Sequence, residues 1–185
     1  FEKAEKAGEQ VVVIVLSAKL SGTYQSAMVA AADYDNVTVV DSESVAVGER
    51  ILVDYALRLK DQGKTAAEIA EELETAKKKV HVIALLDTLE YLKKGGRINT
   101  TTALAANLLN IKPVMKFGTG KLDVFQKCRG MKKSRKAMID AMHRELETTF
   151  KKEYDAGKVY LMAASSSTAE VTADWISQIR ESFPG

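Results

Sequence analysis

The first half of the chain alternates between short apolar runs and longer amphipathic stretches. Residues 10–18, "QVVVIVLSA", and residues 37–42, "VTVVDS", are apolar runs rich in β-branched residues. Such runs are typical of strands buried on both faces of a parallel sheet. Residues 24–32 between them are helical by composition, and the spacing is about the minimum for a right-handed strand–helix–strand crossover. This half therefore predicts an α/β fold with a parallel sheet.

Two amphipathic helices and a third strand are predicted next. Residues 47–63 carry apolar side chains toward one side of a helix. Residues 65–79 begin with Thr65 and have Glu68 three positions later, which is the spacing of a capping box. Residues 80–86, "VHVIALL", are predicted to form a strand.

The pattern changes near Leu86, and we place a domain boundary there. Residues 89–113 predict a short helix that stops at Gly95-Gly96, then a Thr-rich cap and an apolar helix. Residues 112–130 predict a hairpin that turns at Gly118-Thr119-Gly120. The remaining predicted elements are a helix from Met131 to about Lys152, a strand "KVYLMAAS" and a helix from Thr168.

Composition excludes several classes of protein. With 46% hydrophobic and 28% charged residues among 185, the chain is not expected to be disordered. Its longest apolar run, residues 11–16, is far shorter than the roughly 18 residues of a membrane span. No secretory signal is visible and Cys128 is the only cysteine, so we expect a reducing, cytoplasmic location. His81 and His143 lie far apart without a second thiol, so no metal site is predicted.

Both ends of the chain predict a fragment. The opening "FEKAEKAGEQ" is typical of the last part of a helix that closes at Gly8, without a capping residue where that helix should begin. The final "WISQIRESFPG" is typical of a helix that leads into another element. We therefore expect the chain to be an internal piece of a longer protein.

A small polar loop joins the first predicted strand to the first helix, in "LSAKLSGTYQSA" (residues 16–27). A helix N-terminus offers unpaired N–H groups and a partial positive charge, which favours anions. Ser21 and Thr23 can add hydroxyls, and Gly22 would let a ligand approach the backbone. Alternatively, Ser21 is a plain N-cap and Gly22 fits a turn, which is the more frequent arrangement for such a loop taken alone. The loop is neither a P-loop nor a dinucleotide fingerprint.

Asp41 ends the second predicted strand and is expected to lie beside this loop. Its carboxylate could serve as a base, or it could cap the following helix, which is the more frequent role. No nearby His or Lys completes a triad in the sequence, so we assign no catalytic residue.

Positive charge is concentrated between residues 93 and 136, although the whole chain carries only +2. Such a segment can bind nucleic acid, an anionic membrane or an acidic partner, or it can be a solvated face. Few aromatic residues are interleaved and no nucleic-acid-binding motif is present, so no nucleic acid is expected. The segment contains one acid, Asp123. Its cations are Lys93, Lys94, Arg97, Lys112, Lys116, Lys121, Lys127, Arg129, Lys132, Lys133, Arg135 and Lys136.

Two stretches of the second half could line an apolar pocket. Residues 100–111, "TTTALAANLLNI", and the series Met131, Met138 and Met142 offer small or adaptable side chains. At helical spacing, however, such residues are more often ordinary core.

Five motifs occur together in chain order: "LSAKLSGTYQSA", "VVDSESVAVGERILVDYA", "LEYLKKGGRI", "KPVMKFGTGKL" and "CRGMKKSRKAM". In combination they resemble the DegV family, whose better understood members resemble the fatty-acid-binding subunit (FakB) of bacterial fatty acid kinase. The agreement runs over nearly the whole chain. The resemblance implies two α/β domains of the DegV type, the first with a Rossmann-like parallel sheet.

The resemblance also implies what each part of the chain does. Residues 1–86 would be the C-terminal part of the first domain, lacking its N-terminal part, and residues 87–185 a second, lipid-binding α/β domain truncated at its C-terminus. An acyl chain would lie in and beside the second domain, with its carboxylate where the two domains meet. Ser21, with the Gly22 backbone and the adjoining Thr23, would hold that carboxylate.

Arg97 in "GGRI" and Arg129 in "CRG" would serve docking to the kinase or the membrane and handling of the acyl phosphate. A guanidinium suits a carboxylate, a phosphate or an anionic head group.

Some family motifs are missing from the chain. These are an initial strand ending in Asp-Ser, a Thr-Ser-Gln-Pro-Ser loop that belongs to the carboxylate site, and a final His-x-Gly-Pro-Gly stretch. Ala18 also stands where Ser is usual. We therefore expect an incomplete pocket in this chain.

The resemblance implies a non-enzymatic carrier that presents a bound long-chain fatty acid to the catalytic subunit of a fatty acid kinase. It would touch an anionic membrane transiently and need no cofactor. Two alternatives stay open: an enzyme that acts on a phosphate-bearing small molecule through the Ser21 loop and Asp41, and a regulatory nucleic-acid-binding module that uses the basic segment. The lack of a metal site, nucleotide loop or triad in the sequence favours the carrier.

Overall fold

The computed structural model describes residues 1–98, 111–118 and 120–184, which form helices and two sheets in an α/β fold, as predicted. The helices are α1 (Glu2–Lys6), α2 (Thr23–Ala31), α3 (Val47–Asp61), α4 (Ala66–Ala76), α5 (Glu90–Lys94), α6 (Met131–Glu147), α7 (Lys151–Asp155) and α8 (Ala169–Ser182). The strands are β1 (Val11–Val15), β2 (Val37–Asp41), β3 (Val82–Leu85), β4 (Ile111–Gly118) and β5 (Lys121–Arg129), and a 3₁₀ turn (Lys77–Lys79) follows α4.

The chain divides into two compact units. One consists of Phe1–Val82 with Phe117–Asp123, and the other of Ile83–Lys116 with Val124–Gly185. The tip of the β4–β5 hairpin is thus grouped with the first unit. The assignment of residues 1–86 and 87–185 to the two functional domains stays a prediction.

The first unit is built on the predicted parallel sheet. β1 and β2 pair in parallel, in a register that runs from Val11 opposite Val37 to Val15 opposite Asp41. The connecting helix α2 makes the predicted crossover between them. Because both strands run in the same direction, their carboxyl ends and the loops that follow lie at one edge of the sheet.

Helices α3 and α4 supply most of the core of this unit. Leu52 and Leu59 of α3, and Ile69 and Leu73 of α4, are buried at helical spacing and pack in one cluster with Val40 of β2. Burying one such side chain contributes about 1.5–3 kcal/mol.

The start of α4 is fixed by the predicted capping box. Thr65 Oγ1 accepts the Glu68 N–H (3.3 Å), and the Glu68 carboxylate accepts the Thr65 N–H (2.8 Å). Two of the N–H groups at this helix start are therefore satisfied by side chains.

The second unit contains most of an antiparallel sheet with strand order β3-β4-β5. Val114 and Met115 of β4 are fully buried. Ser134 of α6 is also buried, and its hydroxyl bonds to the carbonyl oxygens of Lys112 (3.1 Å) and Gly130 (3.0 Å). This pair of contacts anchors the start of α6 against β4.

Two predicted elements of the second unit are wrong in part. Residues 158–165, "KVYLMAAS", form no strand. The long helix ends at Glu147 rather than near Lys152, because the backbone at its C-cap, Thr148, turns to a φ of −119°, far from the helical value of about −63°. A separate helix, α7, follows.

Other predicted elements are confirmed or lie outside the described residues. The last helix is capped by Thr168, whose side chain accepts the Val171 N–H (3.4 Å). The predicted apolar helix after Gly96 and the turn residue Thr119 lie outside the described residues. Among the helices of the described segments, none combines the length and the apolar character needed to cross a bilayer.

Candidate functional site

The loop between β1 and α2 brings two hydroxyls together. Ser21 Oγ and Thr23 Oγ1 are hydrogen-bonded at 2.8 Å, and Ser21 Oγ accepts the Thr23 N–H (3.3 Å). Gly22, not Ser21, is the N-cap of α2, so the interpretation of Ser21 as a plain N-cap is wrong in position. Ser21 is half-buried, whereas Gly22 and Thr23 are exposed.

Gly22 is not required by the geometry of its own backbone. Its φ of −72° is open to any residue, and a Cβ built on it would meet no atom of the described residues within 4 Å. A glycine needed for a tight turn would have a positive φ or crowded surroundings. The backbone at the start of α2 is thus uncovered, as close approach of a ligand requires.

Ser17 holds the base of this loop, a role that no sequence pattern predicts. It is fully buried, and its hydroxyl donates to the carbonyl of Gly120 in the hairpin turn (3.0 Å). Its N–H donates to the Ser44 carbonyl (2.9 Å), and its own carbonyl accepts the N–H groups of Leu20 (2.9 Å) and Ser21 (3.2 Å). A serine at the end of an apolar strand gives no sign of partners so distant in sequence.

Asp41 lies beside the loop, as expected, but it does not cap the following helix. Its Oδ1 atom accepts the N–H groups of Glu43 (2.8 Å) and Ala18 (3.2 Å). The N-cap of α3 is Ala46, which makes no side-chain cap bond. Asp41 therefore joins the loop after β1 to the loop after β2.

A nearly buried lysine lies behind Asp41. The side chain of Lys77, only 6% exposed, donates to the Asp41 carbonyl (3.1 Å), Glu43 Oε1 (3.1 Å) and Glu74 Oε2 (2.7 Å). Burial alone would lower the pKa of Lys77, but its hydrogen bonds to Glu74 and Glu43 outweigh burial and raise that pKa. A run of three lysines is typical of a solvated surface, so sequence reasoning does not predict this burial.

The loop after β2 is a tightly packed serine turn. Ser42 and Ser44 are both buried; the Ser42 hydroxyl contacts the Ser44 carbonyl (3.3 Å), and Ser42 Oγ accepts the Ser44 N–H (3.1 Å). The backbone passes through the left-handed region at Glu43 (φ 46°) and Ala46 (φ 52°). Non-glycine residues adopt this region rarely, so surrounding contacts must hold the turn.

The two candidate arginines are exposed residues of the second unit. Arg97 follows α5; its N–H donates to the Leu92 carbonyl (2.9 Å) and its guanidinium to the Gly95 carbonyl. Arg129 ends β5, directly before Gly130, the N-cap of α6. Their roles in docking stay predictions.

The basic segment is less positive than its sequence indicates. In the described part of the chain, five of its cations pair with acids that lie outside residues 93–136. By contrast, Lys127, Arg129, Lys132 and Lys133 pair with no acid there. The five pairs are Lys94–Glu90, Lys112–Asp87, Lys116–Glu145, Arg135–Asp174 and Lys136–Asp140.

The residues predicted to line an apolar pocket lie only partly within the described chain. Residues 100–110 lie outside the described residues, Met131 is exposed, and Met138 and Met142 are half-buried. Within residues 1–98, 111–118 and 120–184, no cluster of His, Cys, Asp or Glu could hold a metal ion.

Known proteins resemble the chain in both sequence and structure. A DegV domain-containing protein of Clostridium perfringens is 32% identical over all of this chain and 63% of its own length. A fatty-acid-binding DegV family protein from Thermus thermophilus superposes on this chain with a TM-score of 0.70 at 34% identity. The match covers 80% of this chain and 53% of that protein.

A third relative is the fatty acid kinase B3 protein of Streptococcus pneumoniae, whose structure is loaded with linoleic acid. It has a TM-score of 0.74 at 29% identity, over 99% of this chain and 66% of its own. The chain spans 51% and 63% of the length of two curated relatives that it matches. The family model described as "Uncharacterised protein, DegV family" matches residues 1–185, and the chain therefore belongs to the DegV family.

Proposed function

We propose that this chain belongs to a carrier that binds a long-chain fatty acid and presents its carboxylate to a separate kinase. The observation that carries the proposal is the uncovered start of α2, where Gly22 leaves open space beside the hydroxyls of Ser21 and Thr23. The fatty-acid-bound relatives support the same ligand class.

The Ser21 loop has the groups that a carboxylate needs. The first N–H groups of a helix have no partner within the helix, and the N-terminus carries about half a positive charge. In the Ser21–Thr23 hydroxyl pair, one hydroxyl donates to the other, so one O–H proton remains for a ligand. A carboxylate at this point would accept from both the helix and the hydroxyl.

The alternative functions use groups that are already engaged. A base at Asp41 is disfavoured because its Oδ1 atom accepts two backbone N–H groups. Nucleic-acid binding is disfavoured because acids within the chain neutralise much of the basic segment. Neither alternative has an observation of its own in its favour.

The docking role extends the proposal to Arg129 and Arg97. Arg129 stands close in sequence to Lys132 and Lys133, which lie in the first turn of α6 without an acidic residue there. Cations at a helix N-terminus oppose the helix dipole. Their presence supports contact with an anionic surface, either the acidic face of a kinase or an anionic membrane in the cytoplasm.

The first experiment is native mass spectrometry of the complete gene product that contains this chain, purified without detergent. We expect a co-purified long-chain fatty acid, because an empty acyl slot would expose apolar surface at about 25 cal/mol per Å². A nucleotide bound at stoichiometric level instead would contradict the carrier function.

A second experiment separates docking from binding. Changing Arg129 or Arg97 to Ala should lower kinase-dependent phosphorylation of the bound acid, or binding to anionic vesicles, and leave fatty-acid affinity unchanged. The effect should be milder at high salt, since charges are screened over about 8 Å at physiological ionic strength. Lys136→Ala is the control, because Lys136 is already paired with Asp140. Loss of fatty-acid affinity in the arginine variants would place those residues in the pocket instead.

A further inference from the structure

Lys77 is an unusual residue for the interior of the first unit. Its ammonium is almost entirely removed from water and contacts three oxygen atoms. Removing a charge from water is costly unless partners surround it. Two of those oxygens, the Asp41 carbonyl and Glu43 Oε1, belong to the turn after β2.

From that turn the hydrogen bonds continue directly to the Ser21 loop. Asp41, whose carbonyl accepts from Lys77, uses its carboxylate to accept the Ala18 N–H (3.2 Å). Ser44 at the other side of the turn accepts the Ser17 N–H (2.9 Å). One residue therefore separates the buried ammonium from the backbone of the loop.

Besides the hydrogen bonds between Ser42 and Ser44, the turn is held by the side chains of Asp41 and Lys77. Glu43 has a φ of 46°, and the Asp41 carboxylate accepts the Glu43 N–H (2.8 Å). The ion pair between Lys77 and Glu43 opposes relaxation of this conformation. Glu74, the third partner of Lys77, lies on α4 and makes the ammonium a link between that helix and the turn.

We propose that Lys77 is a positioning residue for carboxylate recognition. It holds the segment around Asp41 and Glu43, and Asp41 in turn holds the backbone at Ala18, which sets the place of the Ser21 hydroxyl. This inference rests on the proposed function, since it assumes that the Ser21 loop receives the carboxylate of the ligand.

The test compares a long-chain fatty acid with its methyl ester, which has the same acyl chain but no carboxylate charge. Lys77→Met in the complete gene product should weaken binding of the acid about tenfold, the size of one hydrogen bond to a charged group. Binding of the ester should stay within about twofold, because the ester has no carboxylate to misplace. If both ligands lose affinity equally, Lys77 has only a structural role.

Two control variants sharpen this result. Lys78→Met removes an exposed neighbour from the same 3₁₀ turn and should change neither affinity. Lys77→Arg keeps the charge and the donors and should restore selectivity for the acid at least partly. If Lys77→Arg is no more selective than Lys77→Met, the proposal fails.

A milder pair covers the case in which Lys77→Met does not fold. Glu43→Ala and Glu74→Ala each remove one carboxylate from the ammonium, but only Glu43 belongs to the turn. The proposal expects loss of acid selectivity in Glu43→Ala alone. Equal effects of the two would overturn it.

Amide hydrogen exchange separates this inference from the proposed function. In Lys77→Met, or in Glu43→Ala, the N–H groups of Ala18 and Glu43 should exchange faster, while those of Leu73 in α4 should not. If the wild-type protein shows no fatty-acid binding but the exchange result holds, the proposed function is wrong and Lys77 still positions the loop. Unchanged exchange at Ala18 would reject the role of Lys77 whatever the ligand.

Discussion

Two loops of the first unit leave neighbouring parallel strands at the same edge and use the same kinds of residue for opposite purposes. The loop after β1 ends in Ser21, Gly22 and Thr23, whose polar groups reach solvent. The loop after β2 turns its serines, Ser42 and Ser44, inward until both are buried. Small polar residues after a strand therefore indicate a ligand site only where their hydroxyls stay accessible.

The two glycines in these regions differ in the same way. Gly48, in the first turn of α3, is enclosed: a Cβ there would lie 2.1 Å from Ser44 Oγ and 2.6 Å from Val82 Cγ2. At Gly22, the N-cap of α2, the described part of the chain places nothing within 4 Å of that position. One glycine is required by the packing of the protein, and the other leaves space for something outside it.

Replacing Gly48 by Ala should produce the largest change in stability. Helix propensity alone would make Ala stabilising by about 1 kcal/mol, but the overlap with Ser44 and Val82 should reverse that sign. We expect a net loss of about 1–3 kcal/mol in the free energy of unfolding, measured by urea denaturation. Gly22→Ala is the matched control and should stay within about 0.5 kcal/mol of the wild type. Equal stability of the two variants would refute the contrast between the glycines.

Replacing Asp41 by Ala should have the next largest effect. It leaves the N–H groups of Ala18 and Glu43 without their acceptor, at a cost of about 1–2 kcal/mol. Asp41→Asn keeps an acceptor oxygen and should lose less. The exposed Thr23→Ala should change the denaturation midpoint very little, since its loop reaches solvent. A midpoint for Asp41→Ala that equals the wild-type value would show that Asp41 does not join the loops.

Local patterns in the sequence predicted most of this fold. The apolar runs of β1 and β2 and the Thr65–Glu68 capping box depend on residues close in the chain, and each is confirmed. The run "KVYLMAAS" has the composition of a strand, but a strand also needs a hydrogen-bonded neighbour, which no local pattern can supply. Composition therefore predicts the tendency to form a strand and not its pairing.

The candidate site was predicted only in part, for a similar reason. The Ser21 loop was visible because a helix N-terminus with small polar residues is a local feature. Ser17, bonded to Gly120, and Lys77, bonded to Asp41, depend on contacts across the fold. Charge was misjudged partly in the same way, since Asp87, Glu145 and Asp174 pair with cations of the basic segment that are 25 to 39 residues away in the chain.

Stability at alkaline pH should depend on Lys77. Its folded-state pKa is raised, so its contribution to stability is complete below the ordinary lysine value of about 10.4 and is lost as pH rises through the folded-state pKa. The raised pKa of Tyr55, caused first by burial and then by Glu72, acts in the same direction. We therefore expect urea midpoints of the wild type to fall more steeply above about pH 10 than those of Lys77→Met. Parallel curves would show that the ion pairs of Lys77 contribute little.

The smallest change in stability should come from the exposed loop, where binding is expected to change instead. Ser21→Ala removes a hydroxyl whose hydrogen bonds within the described residues go to Thr23, so the free energy of unfolding should fall by less than about 1 kcal/mol. Fatty-acid affinity should fall about tenfold or more, because a hydrogen bond to a charged group contributes about 1.5–3 kcal/mol.

Gly22→Ala completes the comparison because it adds one methyl group to the open space and removes no hydrogen bond. If a carboxylate comes close to the backbone there, Gly22→Ala should weaken binding of the labelled acid while stability stays unchanged. Ser26→Ala, an exposed hydroxyl further along α2, should change neither quantity. A Gly22→Ala protein that binds the acid as tightly as the wild type would mean that no ligand occupies this space. The open glycine would then be a tolerated residue, and burial alone would not separate the two loops by function.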